Sequence, residues 1–115
     1  MKNLSVSEEV EQIKTMDIAH VDPATVPDGA YIGEFPFRQK YMYRVRVTVK
    51  SGRIENIEVL ENGTENEYAQ KGLGVIPRML EEQSPEVDAV SGATVSSKAL
   101  MKCVEKALKE GRDRK

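Results

Sequence analysis

Eight consecutive residues constrain this chain more than any others. In Tyr43–Lys50, the residues Tyr43, Val45, Val47 and Val49 alternate with Arg44, Arg46, Thr48 and Lys50. Side chains on a strand point to opposite faces in turn, so this run predicts a strand with one buried face and one wet face. Ser51-Gly52 follows as a tight-turn signal, and Arg53–Leu60 returns as the hairpin partner. The apolar positions of the return strand, Ile54, Ile57 and Val59, change parity, so a bulge is expected near Glu55-Asn56. A lone hairpin is marginal in water and needs a cover on its apolar face.

The best candidate cover is the last helix pattern, from about Val95 to Glu110. Ser97, Leu100, Met101, Val104, Ala107 and Leu108 form one stripe, and Lys98, Lys102, Glu105, Lys106 and Lys109 take the other face. A short strand is expected around Ala30–Phe35. Residues 5–16 read as a short helix with Val6, Val10 and Ile13 on one face and Ser5 with Glu8 as a capping box. Residues 20–30, with Pro23, Pro27 and Gly29, read as a linker. Thr64 with Glu67 suggests a second capping box, opening a helix through about Lys71. Gly72 and Gly74 end it, and Pro77 sits early in a further short helix over 76–83, closed by Ser84-Pro85. Strands first and helices later, without regular alternation, argue for an α+β fold: a small antiparallel sheet packed against a C-terminal helix and short connecting helices. The expected organisation is an N-terminal helix and linker over residues 1–26, the main domain over 27–110, and a charged, fraying tail over 111–115.

Composition removes several function classes. The chain has 115 residues and a formal net charge of -2, with acids and bases interspersed, so nothing points to nucleic acid. Its single cysteine, Cys103, excludes an internal disulfide and a multi-cysteine metal site. Beside the apolar stripe, Cys103 reads as a buried structural thiol. The single histidine, His20, argues against a His-based metal site or triad and receives no role. No apolar run reaches the roughly 18 residues of a membrane span, and Glu8, Glu9, Glu11 and Asp17 are foreign to a signal peptide. A soluble, cytoplasmic protein is expected on this sequence.

Chemistry concentrates at Asp88-Ala89-Val90-Ser91-Gly92-Ala93-Thr94, just ahead of the last helix, with Thr94 in that helix's first turn. A helix N-terminus presents free N–H groups and partial positive charge, which favour phosphate. Small residues at Ser91, Gly92 and Ala93 let a bulky anion approach the backbone. On the residues alone, a phosphate-bearing ligand and a plain helix cap both remain open.

The same segment resembles the flavinylation motif Asp-x-x-Ser/Thr-Gly-Ala-Thr of the FMN-binding domain family, which includes the flavin subunits of sodium-pumping and related respiratory complexes. Asp88, Ser91, Gly92, Ala93 and Thr94 all match. Asp28–Gly33 resembles the family's opening strand, and Val45–Val59 its strand, turn and strand. The resemblance implies an electron carrier, rather than a self-sufficient enzyme, with FMN esterified through its phosphate to the Thr94 hydroxyl. It implies that Ser91, Gly92, Ala93, Ser96 and Ser97 surround the phosphate and ribityl end, with Asp88 involved in attachment or capping the loop. It implies attachment by a separate flavin transferase that uses FAD and a divalent metal, and further redox partners. It also allows a membrane complex outside the cytoplasm.

Two stretches depart from the family pattern. Phe35–Lys40 replaces a glycine-rich segment, and Gly63–Tyr68 replaces a Thr-Pro-Gly turn near the flavin ring. Tyr68 could stack on that ring or pack as a half-buried helix residue. Arg38 and Lys40 read as pairing with phosphate or with an acidic partner, or as a solvated loop. Two other functions remain open: a stand-alone flavin reductase holding FMN non-covalently, and a non-redox interaction module that has lost its cofactor.

Overall fold

The structure, a computed structural model, describes residues 5–114, apart from the side chain of Val6. The Val6 side chain expected on the first helix and the last tail residue, Lys115, therefore lie outside the described residues. Strands β1 (Gly29–Phe37), β2 (Tyr41–Lys50) and β3 (Arg53–Asn62) form one antiparallel sheet in that order. Helices α1 (Val6–Lys14), α2 (Glu67–Gly72), α3 (Val75–Glu82) and α4 (Thr94–Asp113) complete the α+β fold.

The alternation in β2 is real. Tyr43, Val45, Val47 and Val49 are buried. The opposite face carries ion pairs from Arg44 to Glu34 and Glu61, and from Arg46 to Glu58. The expected bulge is present: Thr48 faces Asn56 and Val49 faces Ile54, so Glu55 is left out of register. A second irregularity leaves out Leu60, because Arg44 faces Glu61 while Val45 faces Val59. β1 is longer than expected and runs through Pro36, which lies opposite Met42. β1 is an outer strand, where a missing N–H is tolerated.

α4 covers the buried face. Leu100, Met101, Val104, Ala107 and Leu108 are all buried against the sheet and its neighbours. Each of these leucine, methionine and valine side chains contributes about 1.5–3 kcal/mol by leaving water, and Ala107 less. Helix and sheet meet closely at Gly33, where a Cβ would overlap the carbonyl oxygen of Cys103. The helix does not stop at Glu110 but continues to Asp113, with Gly111 buried under Tyr31. That contact holds the turn that the sequence suggested would fray.

Four local expectations change. Residues 20–30 are not a loose linker: Val21, Pro23 and Val26 are buried, and Pro23–Thr25 is a 3-10 turn capped by Asp22. α2 is capped by Asn66, whose Oδ1 accepts from the Ala69 N–H, rather than by Thr64. α3 begins and ends one residue early, with Gln83 in the left-handed conformation and its side chain bonded to the Ile54 backbone. Glu105, assigned to the wet face of α4, is only 3% exposed. It accepts from Lys102 Nζ at 2.8 Å and from the Ala19 N–H at 3.1 Å, and it pairs with Lys109 at 2.7 Å. Lys98 and Lys102 donate to the carbonyls of Met16 and Asp17. The segment after α1 therefore covers part of what looked like a solvated helix face.

α1 has the expected capping box between Ser5 and Glu8 and is fixed by the buried Ile13. Glu9 ties it to the β1–β2 turn, accepting from the Arg38 N–H at 3.0 Å.

Candidate functional site

The first turn of α4 opens into a cleft of about 360 Å³. Its back wall is Gly92–Ser96, and Tyr43 from β2 also lines it. The end of β1 and the turn after it contribute Phe37 and Arg38, the approach to α2 contributes Thr64 and Asn66, α2 itself contributes Tyr68, and α1 contributes Val10 and Lys14. The volume falls in the range of small-molecule and cofactor sites.

The helix terminus is chemically open. Ala93 is the N-cap residue and has no side chain that can cap. Among the described residues, no group accepts from the N–H groups of Thr94, Val95 and Ser96. Three donors and the positive end of a 20-residue helix thus stand at the cleft. Gly92 adopts φ +81°, and a Cβ built there would meet nothing within 4 Å. The left-handed turn is what favours glycine here, and the space beside it admits a bulky group. The half-buried Thr94 hydroxyl has no hydrogen-bond partner among the described residues. An anionic phosphate fits this donor set, and the apolar Phe37, Val10 and Val95 with Tyr68 suit an aromatic ring system.

Behind the wall, Tyr43 and Ser96 share a hydrogen bond of 3.1 Å between their hydroxyls. Burial holds the Tyr43 hydroxyl above its ordinary pKa, although the bond to Ser96 pulls the other way. It is therefore neutral near pH 7. Ser97 is buried and accepts from the Val90 N–H at 2.9 Å, which closes the motif loop onto α4. Arg78 steadies the same loop by donating to the carbonyls of Asp88 and Ala89.

The residues singled out in the sequence separate in space. Thr94, Gly92, Ala93, Ser96 and Tyr68 line the cleft, while Asp88, Ser91 and Ser97 do not. Asp88 and Ser91 are exposed on the loop. Among the described residues, no cluster of three or more His, Cys, Asp or Glu side chains could hold a metal. Tyr68 is 54% exposed, so it does not pack against the sheet. Arg38 lies in the cleft wall with its guanidinium 5.0 Å over the Phe37 ring, whereas Lys40 does not reach the cleft. Val10, Lys14, Phe37, Thr64, Asn66 and Val95 were not singled out. The sequence marks Thr64 only as an expected helix cap, and nothing local marks the two α1 residues as part of a site.

Cys103 is fully buried, its thiol donates to the Tyr43 carbonyl, and burial pushes its pKa up to about 12. That thiol is structural. His20, which received no role, shares a 2.7 Å hydrogen bond with Ser84, the residue that also accepts from the Glu86 N–H. Among the described residues, no helix is long and apolar enough to cross a membrane.

Comparison with known proteins identifies the family. Residues 41–109, more than half of the chain, match the FMN-binding domain family. An uncharacterized protein of Treponema pallidum (strain Nichols) is 35% identical over 89 residues, which is 76% of this chain. The match spans only 24% of that protein's length. The crystal structure of the CPE2226 protein from Clostridium perfringens superposes with a TM-score of 0.59 at 27% identity, covering 78% of this chain and 92% of that one. The chain belongs to the FMN-binding domain family, and its cofactor is FMN.

Proposed function

We propose that the chain is an electron-transfer flavoprotein whose FMN lies in the cleft, with its phosphate esterified to Thr94. One observation carries this reading: an uncapped helix terminus and an unpartnered threonine hydroxyl share the cleft wall. The N–H groups of Thr94, Val95 and Ser96 would hold the phosphate oxygens, and Gly92 would leave room for them. Attachment by a flavin transferase would join Thr94 Oγ1 to the phosphorus of FAD's FMN half. AMP would leave, and the threonine proton would pass to the transferase. Bound FMN supplies one- and two-electron redox chemistry; the protein positions it and limits solvent access. Tyr68, exposed at the rim, is suited to stack on the ring. Ser97 and Arg78 would act indirectly, by holding the loop that presents Gly92 and Ala93. A redox partner and an association with a membrane complex follow from the family resemblance.

Co-expression with a flavin transferase and intact-mass analysis test the assignment. Wild-type protein is expected to carry one FMN adduct, and Thr94→Val none, at nearly unchanged stability because the hydroxyl has no partner among the described residues. An adduct on the valine variant would refute attachment at Thr94. Flavin released into the supernatant on denaturation would favour the non-covalent alternatives.

A further inference from the structure

The cleft has a wall that the family match does not cover. α1 lies outside residues 41–109, yet Val10 and Lys14 line the cleft. Arg38, also outside the match, lines it beside them.

This wall is fixed in place. Glu9 accepts from the Arg38 N–H, Ile13 is buried, and Lys98 and Lys102 grip the carbonyls of Met16 and Asp17. Glu105 accepts from the Ala19 N–H three residues further on. α1 is thus tied to the β1–β2 turn at one end and to α4 at the other.

The charge on the cleft wall has one sign. Lys14 and Arg38 line it, and no aspartate or glutamate does. Among the described residues, neither cation is in an ion pair. The α4 terminus adds partial positive charge to the same space. Charges that line one cleft are screened less by salt the closer an anion lies to them, and the Debye length is roughly 8 Å at physiological salt.

We propose that α1 is an integral wall of the FMN cleft and that Lys14, together with Arg38, gives the cleft its preference for a phosphorylated flavin over the neutral riboflavin. The inference rests on FMN occupying this cleft but not on covalent attachment. Lys14 and Arg38 are positioning residues that hold the phosphate near the α4 terminus before any bond forms.

The test is equilibrium titration of the full chain, made without a flavin transferase, with FMN and with riboflavin, read by flavin fluorescence. Wild type is expected to bind FMN more tightly than riboflavin, with a preference that shrinks as salt rises. Lys14→Gln and Arg38→Gln should each weaken FMN binding roughly three- to fivefold. Lys14→Glu should weaken it further, and Lys14→Arg should restore it. Riboflavin affinity should move less than twofold throughout. Both side chains are exposed, so thermal melts of the glutamine and arginine variants should be nearly unchanged, while Lys14→Glu, in the last turn of α1, should lose a little stability to the helix dipole.

An unchanged FMN-to-riboflavin ratio in the Lys14→Gln, Arg38→Gln double variant would overturn the proposal. Equal losses for both flavins would also overturn it, since α1 would then act by shape alone. Failure of the wild type to bind either flavin would also overturn the proposal, whereas FMN's place in the cleft is decided separately by whether the co-expressed protein carries the adduct at Thr94.

Discussion

Glu105→Gln isolates the charge of a carboxylate that lies almost wholly inside the protein. The wild-type side chain accepts from Lys102 and from the Ala19 N–H, and pairs with Lys109. Glutamine keeps the shape and can still accept from Ala19, so what it loses is the ionic part. Lys102 is mostly buried and its bond counts as charge-assisted, whereas Lys109 is 40% exposed and is discounted for screening. The net cost should be about 1–2 kcal/mol, or roughly 4–8 °C in Tm for a domain of this size. Burial alone would raise the Glu105 pKa, but hydrogen bonds from Lys102, Lys109 and the Ala19 N–H outweigh it and hold it below 4.5. A carboxylate depressed in the folded state contributes stability above its unfolded pKa and loses that stability as pH falls through the folded one. The gap between wild type and Glu105→Gln should therefore be open at pH 7, narrow below about pH 4.5, and close in stronger acid. Urea denaturation of both proteins across that range measures it. A gap that is absent at pH 7, or independent of pH, would refute the reasoning.

Val47→Asp should unfold the domain, because Val47 is 0% exposed and an unpaired carboxylate there costs several kcal/mol; Thr48→Asp, on the other face, should cost far less, as paired thermal melts would record. Gly33→Ala must push α4 off β1 and should cost about 3 kcal/mol, measured by urea unfolding; a wild-type midpoint would show that the helix seat is soft. Tyr68→Ala should leave Tm within a degree or so, since the ring is exposed, but should brighten bound-flavin emission if Tyr68 stacks.

The sheet and its main cover were legible in the sequence because each obeys a local period. Two-residue alternation marked β2, and the broken parity of Ile54 and Ile57 located the bulge at Glu55. What escaped was written in long-range backbone contacts. Periodicity assigned Lys98, Lys102 and Glu105 to solvent, because no sequence rule shows that the carbonyls of Met16 and Asp17 will lie over them. The second irregularity, at Leu60, was invisible for a similar reason: Val59 and Leu60 are both apolar and carry no parity signal. At the site, small residues and a helix start marked Gly92–Thr94. Val10 and Lys14 carry no such mark, because their place in the cleft depends on where α1 docks.

The docking of α1 also orders events in time. Its tethers pair Met16, Asp17 and Ala19 with Lys98, Lys102 and Glu105, more than eighty positions later in the chain. Synthesis proceeds from the N-terminus, so α1 is made long before α4, and until α4 has emerged it has the single Glu9 bond to the β1–β2 turn but none of these three tethers. The sheet hairpin can form meanwhile from neighbouring residues. The cleft thus gains its cationic wall among its last features, and a nascent chain still lacking α4 has neither the helix terminus nor the wall with which to retain a flavin.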